Sequence, residues 1–288
     1  MSRALGVAMV QHSAEPHSDD AAFAGELRRL TKQFPAQRLW VYPELHLASP
    51  LDEHTEDDLA LPLDDPRFEE FGRLALELGI WLVPGTFYER GSDGNIYNTA
   101  LIFDPTGNRV ASYRKIFPWR PLEGTSPGNS FEVFELAGYG RVGFSICYDI
   151  WFPEHTRHLA WGGAELVLNL VQTGTSDREQ EVAIVRGNAI MNQVWIASVN
   201  AAAPHGRGRS LLVDPEGTVR ACAVDASPEV LTAIIDFAQV AQVRTLGTAG
   251  VSRPWSQMKD GDAPIELPLY RGRITPATWT PGSMGASA

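Results

Sequence analysis

The apolar residues change period along the chain. Leu5, Val7 and Met9 recur at every second position, which predicts a half-buried first strand. From Ser18 the period lengthens. Phe23, Leu27, Leu30 and Phe34 fall at helical spacing, with Ser18 placed to cap that helix. Residues 39–42 form a short apolar strand that runs into Pro43 and Glu44. The acidic stretch 51–65 reads as a surface excursion. Phe68, Phe71, Leu74, Ala75 and Leu78 mark a second helix stopped by Gly79, and residues 80–87 read as one further strand. This alternation predicts helices packed on a sheet with parallel pairing, where functional residues gather beyond the carboxyl ends of strands.

Strands are denser in the middle. Residues 97–104 and 109–114 flank Asp104-Pro-Thr-Gly107, where Pro105 presets the first turn angle and Gly107 allows the exit. Residues 211–214 and 218–224 flank a near copy, Asp214-Pro-Glu-Gly217. The repeat fits two related sheets, and it fits two ordinary hairpins equally well. Residues 142–146 are a strong apolar strand ending at Cys147, and Pro153 and Glu154 open a helix through Leu159 and Trp161. Strands over 165–170 and 194–199 enclose a helix of about fifteen residues carrying Val182, Val185, Ala189 and Ile190. No stretch reads as an interdomain linker. The expectation is one α/β domain over 1–288, with a core over about 4–245 and an extended tail over 246–288. Within that tail, residues 251–273 with Trp255 suit a subunit interface better than a core helix, and Trp279 is a candidate anchor.

Composition narrows the function. The chain has 288 residues, 44% of them apolar and 20% charged, a globular balance with length enough for a large core. A net charge of −11 argues against nucleic acid or an anionic membrane surface as partner, since both demand a basic face. The first residues lack the pattern of a secretory signal, and no apolar run approaches the roughly eighteen residues of a membrane span. A cytoplasmic protein is expected.

The two cysteines, Cys147 and Cys222, provide no disulfide framework. Cys222 sits inside an apolar strand pattern and reads as a core residue. Cys147 ends a strand, with polar residues and a helix start beyond it, a place that can expose a thiol and lower its pKa. Two motifs fail on context. Gly138-Tyr-Gly140-Arg-Val-Gly143 precedes a β-rich run, whereas a dinucleotide site needs a helix there. Ser126 in Gly124-Thr-Ser-Pro-Gly128 lies in a proline-flanked loop, not on a strand-to-helix elbow. His155 and His158 near Glu154 read as a solvated helix start and not as a metal site.

A nucleophilic thiol needs a base, and a positive charge to hold the anion that develops. Two segments offer them: Tyr42-Pro-Glu44, and Tyr113-Arg-Lys115-Ile-Phe-Pro-Trp119-Arg-Pro-Leu-Glu123. With Cys147-Tyr-Asp-Ile-Trp151-Phe-Pro-Glu154, in this order, they resemble the Glu–Lys–Cys signature of the nitrilase superfamily of carbon–nitrogen hydrolases. The resemblance extends to Asn98-Thr-Ala and Asn200-Ala-Ala. It implies an α-β-β-α sandwich, two mixed sheets with helices on the outer faces. It implies Glu44 as general base, Cys147 as nucleophile, and Lys115 with the Tyr148 N–H as oxyanion donors. The lysine segment resembles that of aliphatic amidases and formamidases, where a second glutamate lines the site; Glu123 holds that position. The residues after Cys147 depart from those amidases and are closer to general amidase branches. Trp119, Tyr148 and Trp151 are candidate pocket residues, with core packing as the other reading. The resemblance implies a small-molecule amide substrate, no metal or organic cofactor, and self-association. N-carbamoyl compounds and nitriles are the alternative substrates, and an inactive binding protein on the same fold is the alternative of another class.

Overall fold

The computed structural model describes residues 3–13, 20–48, 54–275 and 281–282. Ser18, residues 51–53 of the acidic stretch and Trp279 lie outside the described residues. Strand β1 (Ala4–Gln11) leads through helix α1 (Asp20–Gln33) to β2 (Leu39–Val41). Helices α2 (Glu56–Leu59) and α3 (Pro66–Leu78) then lead to β3 (Trp81–Val83). Helix α3 has a local start signal that the apolar pattern does not show: Asp65 accepts from the Arg67 N–H at 2.9 Å and Pro66 takes the first turn. It stops at Gly79, whose φ of 64° few other residues adopt readily.

Strands β1, β2 and β3 pair in parallel, and β13 (Glu229–Asp236) closes the far side of β1 antiparallel. The first strand is therefore interior. Leu5, Val7 and Met9 join one core cluster, while Ala8 and Val10 join another on the opposite face. The expectation of a half-buried strand fails because both faces are covered. The single strand expected over 80–87 is also corrected. It is two strands, β3 and β4 (Thr86–Arg90), which share one edge of β5 (Ile96–Phe103) while β6 (Arg109–Arg114) takes the other. The break falls at Pro84-Gly85. A Cβ on Gly85, at φ 105°, would meet the Pro43 carbonyl oxygen at 2.4 Å. The glycine thus lets the turn that carries Glu44 lie against this junction.

The second sheet runs β12 (Val219–Cys222), β11 (Leu211–Val213), β10 (Trp195–Asn200), β9 (Leu166–Val171), β8 (Gly140–Ile146), β7 (Val133–Leu136). Its three central strands are parallel and its outer pairs antiparallel. The repeated hairpins fall at matching places: β5–β6 flanks the parallel strands of one sheet and β11–β12 those of the other. Their turns are built alike. Asp104 accepts from the N–H groups of Thr106 and Asn108, as Asp214 does from Glu216 and Thr218. Of the two readings of the repeat, the placement favours related sheets.

The sheets face each other across one core, with α1 and α3 covering the outer face of the first. Helices α4 (Pro153–Trp161) and α5 (Arg178–Asn192) cover the second. This is the expected α-β-β-α sandwich. Three expectations fail in detail. Cys222 is exposed, because it ends the edge strand β12 and only one side of that strand is covered. Val185 and Ala189 are buried as the apolar spacing of α5 predicts, but Ile190 is 49% exposed, and Arg178, Glu181 and Asn188 fill the rest of the buried face. The acidic stretch is not wholly superficial, since Leu59 and Ala60 are buried. Strand β13 and helix α6 (Phe237–Leu246), absent from the expectations, complete the first sheet's edge and its packing. The tail then forms a small hairpin, β14 (Ile265–Leu267) with β15 (Gly272–Ile274). Tyr270, between them, donates to Glu154 of α4.

Candidate active site

The carboxyl ends of the parallel strands of both sheets meet at one end of the sandwich, and the loops beyond them enclose a cleft of about 260 Å³. Glu44 follows β2, and its turn is pinned twice. The Tyr42 N–H donates to the Val83 carbonyl at 3.0 Å, and the Leu45 N–H donates to the Thr86 hydroxyl at 3.0 Å. The Glu44 carboxylate is almost wholly buried. Oε1 accepts from Asn98 Nδ2 at 2.8 Å and from Lys115 Nζ at 3.0 Å, and Oε2 accepts from the Gln172 N–H at 3.1 Å. Lys115 follows β6 and is 0% exposed, and its N–H donates to the Asn98 carbonyl at 2.8 Å. Its ammonium also donates to Glu123 Oε1 at 2.5 Å.

Cys147 follows β8 and begins a tight 3-10 turn through Trp151. Its φ is 44°, a left-handed conformation that costs of the order of 1–3 kcal/mol for a residue with a Cβ. Asp149 holds this turn. Its Oδ2 accepts from the Ile146 N–H at 2.9 Å and from the Tyr113 hydroxyl at 2.7 Å, and its Oδ1 accepts from the Phe117 N–H at 2.9 Å. One buried carboxylate therefore ties the cysteine turn to both sides of Lys115. His155 Nε2 lies 2.7 Å from the same Tyr113 hydroxyl. The solvated helix start expected there is corrected: His155 is fully buried, and burial holds its pKa below the ordinary 6.5.

Behind the cysteine, Sγ lies 3.6 Å from the Thr173 hydroxyl, which donates to Glu181 Oε1 at 2.9 Å. The other Glu181 oxygen accepts from the buried Arg178 at 3.0 Å. Asn200 fixes the backbone here, accepting from the Thr173 N–H at 2.8 Å and donating to the Gly208 carbonyl at 2.9 Å. Trp119 and Tyr148 line the cleft. Trp151 lies one layer back, its ring centroid 5.9 Å from that of Tyr148 and its indole N–H donating to Glu181 at 3.3 Å. Thus Glu44, Lys115, Glu123 and Cys147 are brought together with Trp119 and Tyr148. Asp149, Thr173, Gln172 and Glu181 were not singled out by the sequence. Asp149 had a signal, standing inside the cysteine motif; Glu181 sits in a helix pattern that reads as solvated. Among the described residues no group of three His, Cys, Asp or Glu side chains could hold a metal ion.

Ionisation is set by burial and by neighbouring charge. Burial raises the Glu44 pKa above 4.5, opposed by the ammonium of Lys115. Burial would lower Lys115, but Glu44, Cys147 and Glu123 outweigh it and hold the ammonium above its ordinary range. Burial and then Glu44 push the Cys147 thiol well above its ordinary value, against the pull of Lys115. The lowered thiol pKa expected from the strand end is therefore wrong. The thiol is 7% exposed and faces several carboxylates, so it rests neutral.

Comparison with known proteins places these features in a family. The chain is 35% identical over 207 residues to the deaminated glutathione amidase of Rattus norvegicus, a match covering 65% of this chain and 63% of that protein. It is 34% identical over 151 residues to a formamidase of Photorhabdus laumondii, covering 51% of this chain and 44% of that one. The matches span less than two thirds of the length of either relative. In fold it is similar to Nit3 of Saccharomyces cerevisiae, a member of branch 10 of the nitrilase superfamily. That likeness has a TM-score of 0.74 and 28% identity, and covers 84% of this chain and 93% of that one. The carbon–nitrogen hydrolase profile matches residues 6–245, which contain every side chain of the cleft, and the chain belongs to that family.

Proposed function

We propose that this protein hydrolyses a small non-peptide amide through a thioester on Cys147. One observation carries the reading: a buried ammonium, clamped between two carboxylates, stands beside a cysteine held in a left-handed turn at a cleft. A binding protein has no need of that costly arrangement. Glu44 takes the thiol proton as sulfur attacks the amide carbonyl carbon. Lys115 and the Tyr148 N–H stabilise the oxyanion. As the C–N bond breaks, Glu44 returns the proton to nitrogen, and ammonia or an amine leaves. Glu44 then takes a proton from water as its oxygen attacks the thioester. The C–S bond breaks, sulfur recovers the proton, and the acid is released. Glu123 orients Lys115.

The raised Glu44 pKa suits a base working near neutrality, and the neutral thiol requires proton transfer to accompany attack. The named activities of the relatives support amides over nitriles. We further propose one hydrolase domain with a C-terminal extension, acting in the cytoplasm, where two free thiols stay reduced. No helix among the described residues is long and apolar enough to cross a membrane. Self-association is supported by the exposed Ile190, Met191, Leu269 and Tyr270 on α5 and the tail.

Five outcomes test this reading. Cys147→Ala lowers ammonia release from small amides at least ~1,000-fold while the circular dichroism spectrum is kept. Intact mass shows an acyl adduct on wild-type Cys147, and an adduct on Cys222 alone overturns the assignment. The rate has an acid limb, because Glu44 accepts a proton only when ionised. Its raised pKa places that limb of kcat/KM above pH 4.5, and Glu123→Gln, removing a like charge, moves it down. A limb at or below 4.5 in the wild type refutes Glu44 as base. Asp149→Asn replaces an acceptor with a donor facing donors. It costs about 1–3 kcal/mol in denaturant unfolding and about 100-fold in kcat. Wild-type kcat in that variant removes its positioning role. Finally, sedimentation gives a mass above one chain; a lone 31.6 kDa species overturns self-association.

A further inference from the structure

Two sets of polar groups line the cleft together with Cys147. The first is buried. Asn98 Oδ1 and Thr125 Oγ1, on side chains only 2% exposed, have no hydrogen-bond partner among the described residues, and neither does Glu123 Oε2. All three residues line the cleft. Unpaired buried acceptors are costly unless a ligand supplies donors. The amide NH2 group is such a donor.

The second is acidic and less buried. Glu56 and Asp177 line the same cleft and are half-buried. Each is held in place without a cation. Glu56 follows the capping residue Thr55, and its Oε1 accepts from the Gly124 N–H at 3.3 Å. Asp177 accepts from the Thr175 hydroxyl. Neither forms an ion pair among the described residues. The other carboxylates have cations: Glu44 and Glu123 share Lys115, and Glu181 has Arg178. The cations behind the cleft, Lys115 and Arg178, are already paired with these carboxylates. The volume, about 260 Å³, is at the small end for ligand sites, so a substrate reaching Cys147 also feels the carboxylates of Glu56 and Asp177 that line the same space.

Resting on the amidase reading, we infer that the substrate is a short primary amide whose far end carries a positively charged amine, read by Glu56 and Asp177. An amide ending in a carboxylate meets like charges and is rejected. Opposite charges at such a site give discrimination chiefly by excluding the wrong sign.

The test compares pentanamide, 5-aminopentanamide and glutaric acid monoamide, which share one chain length and differ in charge. The expected order of kcat/KM is cationic, neutral, anionic, with roughly three- to tenfold between the first two. Raising the salt concentration compresses the order, since half-buried charges are partly screened. In Glu56→Gln and Asp177→Asn the ratio of cationic to neutral kcat/KM falls, chiefly through KM. Turnover of pentanamide with equal or poorer use of 5-aminopentanamide overturns the inference and leaves the amidase reading standing. Turnover of none of the three refutes the amidase reading for this substrate size. Calorimetric binding to Cys147→Ala, which needs no turnover, then still decides the charge preference. Equal or tighter binding of glutaric acid monoamide than of 5-aminopentanamide overturns it.

Discussion

A lysine ammonium with no exposure to water is the constraint on which the site depends. Its burial would be prohibitive without counter-charge, so Glu44 and Glu123 must reach it. Glu44 ends a parallel strand in the middle of the first sheet. Lys115 ends the outer strand of a hairpin in that sheet, and Glu123 lies in the loop beyond. One ion cluster therefore fixes two strand ends and a loop relative to one another. Removing one partner of a buried pair typically costs about 3–5 kcal/mol, because the remaining charge stays buried. Asn98 tightens the cluster from both ends, donating its amide to Glu44 and offering its carbonyl to the Lys115 N–H.

The cluster belongs to the first sheet and the cysteine to the second, so a second device must join them. Asp149 is that device, accepting from Ile146 beside the cysteine and from Tyr113 and Phe117 on either side of the lysine. The left-handed turn at Cys147 persists because these bonds over-determine it. The Glu44 Oε2 bond to the Gln172 N–H is another crossing between the sheets. The active-site end of the sandwich is thus closed by polar bonds, while the apolar core holds the rest of the two sheets together.

This division explains what the sequence reveals. Helix α3 is legible in its apolar face and in its stop at Gly79, while its start at Asp65 and Pro66 lies at the end of a stretch read as a surface excursion. Glu44, Lys115 with Glu123, and Cys147 are legible through the resemblance, since they stand in its three motifs. Burial is less legible. Cys222 lies in a strand pattern that does not disclose an edge, and β1 alternates yet is covered on both faces. The buried face of α5 carries Arg178 and Glu181, whose charges satisfy each other only in three dimensions. The Cys147 pKa goes the opposite way from the expectation for the same reason: burial raises it first, then Glu44, and both come from segments distant in sequence.

The clamp on Lys115 raises a difficulty for the proposed chemistry. Two carboxylates already neutralise the ammonium that must stabilise an oxyanion. The proton transfer resolves it. When Glu44 accepts the thiol proton, its carboxylate becomes neutral, and Lys115 loses one of its two counter-charges. At that moment negative charge appears on sulfur and then on the carbonyl oxygen, beside the newly uncovered ammonium. In the proposed mechanism Lys115 thus interacts more strongly with the transition state than with the resting site, which is the differential binding that accelerates a reaction. In the proposed mechanism Glu123, which accepts from the ammonium at 2.5 Å, keeps it oriented while Glu44 cycles. Two glutamates around one lysine therefore have separate uses: one changes charge with each proton transfer, and the other holds the lysine in place.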